Sequence, residues 1–71
     1  MHLEDIDQAY NPNTRCMATY RDPQGYPNRG LLLDPPQKSV TGNWFVFVGS
    51  YANRIVIDDV IAVHDTKVLW A

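Results

Sequence analysis

Apolar residues recur along this chain at two periods. In the opening segment, "HLEDIDQAY", Leu3, Ile6 and Tyr10 fall at i, i+3 and i+7. That spacing puts them on one face of a short helix within residues 1–11. Glu4, Asp5 and Asp7 lie near its start, where the helix dipole favours negative charge. "NPN" at 11–13 then stops it. A helix this short is unstable alone and needs something to lie against.

From residue 14 the period changes to two. In "TRCMATYRD", Cys16, Ala18 and Tyr20 point one way and Arg15, Met17, Thr19 and Arg21 the other. "DPQGYPN" reads as a turn, with Pro23 at its second position and Gly25 suited to positive φ. "RGLLLD" is the next strand, and Gly30 inside it predicts a bulge or sharp bend. Pro35 and Pro36 end the ladder, so "DPPQKSVTGN" reads as a loop. "NWFVFVGS" is the strongest strand. Trp44, Val46 and Val48 share one face and Phe45 and Phe47 the other, and either set would supply core. "SYAN" makes a tight connection into "RIVID" and "VIAVHD".

Asp58 and Asp59 lie between those last two runs. Adjacent strand residues point to opposite faces, whereas acid–base catalysis needs two groups aimed at one centre. Aspartate readily bonds nearby backbone N–H groups and starts a corner. The pair therefore marks a turn between strands, of the short 3₁₀ kind that joins the last long strands of small barrels. "TKVLWA" follows, and residues 67–71 form an apolar tail that either closes the barrel or pairs with a partner through Trp70.

The predicted fold is mainly β: one domain over residues 1–71, with a short N-terminal α-helix and, over 14–66, a small antiparallel five-stranded barrel or bent sheet of the SH3-like or Sm-like kind. Seventy-one residues bury only a modest core, so support from oligomerisation or a partner fits this size. An apolar fraction of 45% is that of a folded chain.

Charge and chemistry narrow the function. Six basic residues against eight acidic ones give a net charge of −2, without the basic excess that phosphate binding favours. Cys16 is the lone cysteine. It permits no internal disulfide and predicts a reducing, cytoplasmic setting. The opening residues have neither the basic start nor the apolar core of a secretory leader, and no apolar run is long enough to span a membrane. His2, His64 and Cys16 match no zinc spacing, the four glycines form no phosphate loop, and Ser39 and Ser50 lack a nucleophile's flanking pattern. The expectation is no enzyme, no cofactor and no metal.

The acidic helix "LEDIDQAY", the strand "CMATYRD", the turn into "GLLLD", the apolar strand "WFVFV" and "RIVIDDVIAV" together span most of the chain. In order and pattern they resemble the Sm-like small barrels, and among these the bacterial Rho-inhibitor (Rof-like) proteins. The resemblance implies a non-enzymatic regulator. Such a protein would dock on a transcription or RNA-processing factor and block its nucleic-acid site, with Glu4, Asp5 and Asp7 as matching acidic positions. A small accessory protein of a phage or mobile element would look like this. Tyr10, Tyr26, Arg29 and Trp70 are further contact candidates, because exposed aromatic residues and arginines are common interface anchors. Two other readings remain open. One is an RNA- or DNA-binding barrel using aromatics with Arg21, Arg29 and Arg54; the other is an oligomeric structural module held by edge strands.

Overall fold

The computed structural model describes residues 2–65. Their elements, in chain order, are α1 (Leu3–Ala9), β1 (Cys16–Arg21), β2 (Pro27–Leu31), β3 (Gln37–Lys38), β4 (Trp44–Phe47), β5 (Arg54–Val56), a 3₁₀ turn (Ile57–Asp59) and β6 (Val60–Asp65). The predicted tail at 67–71, with Trp70, lies outside the described residues. Among those described, no helix is long and apolar enough to cross a membrane.

The strands form two antiparallel sheets, ordered β2-β1-β6 and β3-β4-β5. The sheets meet at one side, where Leu32 bridges Val48. Gly49 N–H donates to Leu31 O at 2.7 Å there, and Leu33 N–H to Phe47 O at 3.1 Å. The described residues do not make the expected closed five-stranded barrel. They carry six strands in two sheets, and no ladder joins β5 to β6. The reason is local: β5 is three residues long, and the chain leaves the ladder at Ile57, so β6 pairs with β1. The Asp58–Asp59 corner is the 3₁₀ turn that the sequence predicts.

Alternation decides which residues form the core. Cys16 and Ala18 from β1, Leu32, Val46 and Val48 from the junction, Ile57 from the corner and Val60 from β6 are all buried together with Ile6 from the helix. Ile6 is 0% exposed, with Leu3 and Tyr10 packed beside it, so the i, i+3, i+7 face is the face α1 buries. The Tyr10 hydroxyl donates to Leu33 O at 3.3 Å. The Cys16 thiol donates to Ala9 O at 3.5 Å. These contacts tie both ends of the α1–β1 link to the sheets and offset the instability of a seven-residue helix.

Two local expectations change. Gly30 sits in an unbroken stretch of the β1–β2 ladder, opposite Ala18. It is needed for close approach, since a Cβ there would lie 2.8 Å from Val48 Cγ1. The irregularity falls instead in the β1–β6 ladder, where Thr19 faces Ala62 but Tyr20 faces Val60. Residues 34–43 are not simply a loop. The prolines bend the chain, the ladder resumes at Gln37–Lys38, and these pair with Phe45 and Trp44.

Candidate functional site

Each predicted contact residue has a definite place. Glu4, Asp5 and Asp7 are exposed on the outer face of α1, opposite the anchored side. Among the described residues none of the three makes an ion pair. Tyr10, by contrast, is half-buried and acts as an anchor of the helix. Tyr26 is 69% exposed at the β1–β2 turn, and Arg29 is exposed further along β2. The helix acids and the Tyr26–Arg29 pair thus sit on separate elements. Tyr20 packs against the core, on the face it shares with Cys16 and Ala18, and accepts a hydrogen bond from Asn53 Nδ2 at 3.2 Å.

The β1–β2 turn is organised by Asp22. Its carboxylate accepts from Tyr26 N–H at 2.8 Å, Gln24 N–H at 3.0 Å and Asn28 Nδ2 at 2.7 Å. The Tyr26 N–H does most to hold the Asp22 carboxyl below its ordinary range, and the Asn28 amide and the other backbone donors of the turn add to it. Gly25, at φ 89°, supplies the left-handed step the turn requires.

A row of aromatic rings covers the outer face of the second sheet. Phe45 and Phe47 meet edge to face at 5.2 Å between centroids, as do Phe47 and Tyr51. The Arg54 guanidinium lies 4.6 Å from the Phe45 centroid, within cation–π range. Phe45 is only 7% exposed as a result, which leaves Tyr51 as the open end of the row. The Asp34 carboxylate, as a hydrogen-bond acceptor for the hydroxyl and as a negative charge, raises the Tyr51 phenol above its ordinary value. Neutral Tyr51 is the favoured form in the folded state, so its contribution is complete below pH ~10 and is lost as pH rises through the folded value. The arginines do not gather on this face. Arg21 and Arg29 belong to the other sheet, and Arg21 Nη1 lies 3.9 Å from Asp59 Oδ1.

A concavity of about 570 Å³ lies beside the start of the helix. His2 and Leu3, Asn43 and Trp44, and Val56 to Asp58 line it. Trp44 shares the inward face with Val46 but stands at the end of β4, so it reaches the rim and is 38% exposed. Val56, 45% exposed, adds apolar surface. Sequence reasoning missed this groove because three distant segments build it; the run "GNW" before a strand was the one local sign of an aromatic at a rim. A second hollow of about 210 Å³ adjoins it, shares Asn43 and Val56, and runs to Val40, Phe45 and Arg54.

Among the described residues no group of three or more His, Cys, Asp or Glu side chains is placed to hold a metal. Compared with protein-family models, curated proteins and solved structures, the chain matches none.

Proposed function

We propose that this protein is a small non-enzymatic regulator that docks on a protein of the transcription or RNA-processing machinery and modulates it. One observation carries the reading: α1 turns Glu4, Asp5 and Asp7 outward while its other face is locked into the core, so the acids form a preorganised surface beside an open groove. Preorganised charge steers encounter and selects a complementary partner. The class of target comes from the resemblance to Rof-like regulators. In the same reading the two sheets are the halves of an Sm-like small barrel, supported by the Leu32–Val48 junction and the 3₁₀ corner. A cytoplasmic setting belongs with it, supported by the free, buried Cys16.

The test is affinity capture on the immobilised protein, alongside an E4K/D5K/D7K variant. The positions are exposed, so the variant should fold. A stoichiometric partner from the transcription or RNA machinery is expected on the wild type and is expected to be lost from the variant. Unchanged capture by the variant removes the helix from the reading. Capture of RNA without protein overturns the reading altogether.

The Arg54–Phe45 stack favours a second reading, binding of single-stranded nucleic acid along the aromatic row. It requires affinity that falls steeply with salt. No binding in a low-salt filter assay removes it.

A further inference from the structure

We propose that the groove between Trp44 and Asp58 is a recognition site for an arginine side chain of the partner protein. This deepens the regulator reading above and rests on it. The groove supplies the two features that a guanidinium uses. One is an accessible aromatic surface, the partly exposed Trp44 indole, on which a planar cation stacks. The other is the Asp58 carboxylate in the same wall, a bidentate acceptor for the guanidinium fork. Asp58 is exposed and makes no ion pair among the described residues. Apolar Leu3, Val56 and Ile57 also line it and suit an arginine's aliphatic stem.

Charge selects the same occupant. Asp58 is the acid in the lining, and Glu4 and Asp5 follow Leu3 on the exposed side of α1, outside it. Against them stands Lys38, opposite Trp44 in the β3–β4 ladder, and the Lys38 stem runs close to Gly42 of the same wall. The elements that build the groove carry Glu4, Asp5, Asp7, Asp58 and Asp59 against His2, Lys38 and Arg54, and that acidic excess disfavours a phosphate or a carboxylate and favours a cation. Trp is the ring that binds a cation best. Arginine is preferred over lysine because its planar fork can stack and pair at once, whereas an ammonium is a hydrated point charge.

The experiment is an NMR titration of the full chain, ¹⁵N-labelled, with an acetylated and amidated Gly-Ser-Arg-Ser-Gly peptide. Control peptides carry citrulline or lysine in place of the arginine. The Trp44 indole N–H is assigned with a W70F variant. Saturable shifts of that indole and of the Asp58 amide are expected with the arginine peptide. Citrulline, which keeps the shape and loses the charge, should bind about tenfold more weakly. D58N should weaken the arginine peptide by about the same factor and narrow its lead over citrulline; W44L should do likewise. If W44L fails to fold, D58N decides, since Asp58 is exposed. Equal shifts with citrulline, shifts elsewhere only, or no saturable shift would overturn the site. Preferential binding of a short RNA in this groove would overturn it as well. The two proposals fail separately. Partner capture undiminished by D58N overturns the arginine site and keeps the regulator. An arginine peptide that binds, with no protein captured, does the reverse.

Discussion

Two single residues show how local chemistry sets local structure. Gly30 is exchangeable by the rules of backbone conformation but not by those of space. An alanine Cβ would press on Val48 Cγ1 at 2.8 Å, and Val48 is buried at the sheet junction. G30A is expected to cost about 1–3 kcal/mol, as overpacking does. In a urea-denaturation cycle, G30A/V48A should lose less than the sum of the single variants; strict additivity would refute the contact. Asp22 makes a prediction in pH. Its folded value is depressed by the Tyr26 N–H and by its neighbours in the turn. Its contribution is therefore present above the unfolded value of ~3.9 and lost as pH falls through the lower folded one. D22N should flatten the acid limb of the stability profile below about pH 4, read as urea midpoint against pH. An unchanged limb would show that the turn hydrogen bonds do not favour the carboxylate. The Asp58–Asp59 corner was legible because strand alternation forbids two neighbouring side chains from sharing a face. The groove beside it was not, since no local pattern brings His2 and Leu3 to Trp44.

At the scale of elements, legibility followed periodicity. The helix face and β1 keep the burial period that the sequence predicts and the final corner falls at the aspartate pair, whereas in β4 the adjacent Phe45 and Val46 are both buried. β3 was hidden because Gln37 and Lys38 alternate nothing and follow two prolines; only pairing with β4 makes them a strand. Alternation groups Trp44 with Val46 and Val48 but leaves open which face of β4 turns inward, and the position of Trp44 at the strand end exposes it, which alternation cannot express. The helix itself is the element most dependent on tertiary support. Seven residues cannot hold a helix in water, so α1 persists through Ile6 and its flanking contacts. I6V should cost about 1 kcal/mol. Hydrogen exchange should then show protection falling most in α1, because Ile6 is the helix's buried side chain. A uniform loss across β1 and β4 would instead mean that the helix docks as an inseparable part of the sheets.

For the whole molecule the decisive feature is that two small sheets share one core. Neither could stand alone: a three-stranded sheet needs a covered apolar face, and each sheet is covered here by residues of the other. Cys16, Ala18 and Val60 come from the first sheet, Val46 and Val48 from the second and its junction, and Leu32 from the crossing. A shared core predicts a single cooperative transition. Far-UV circular dichroism and the fluorescence of Trp44, isolated in a W70F background, should give one urea midpoint. Leu32→Ala tests the coupling at the crossing itself. Deleting that buried side chain should cost about 2–5 kcal/mol, a large share of the ~5–15 kcal/mol typical of small domains. Both probes should shift together, because the lost packing belongs to both sheets. If the Trp44 signal moves while circular dichroism keeps its midpoint, the sheets unfold separately. The barrel-like reading would then lose its physical basis, since a barrel is one closed surface around one core and cannot melt in halves.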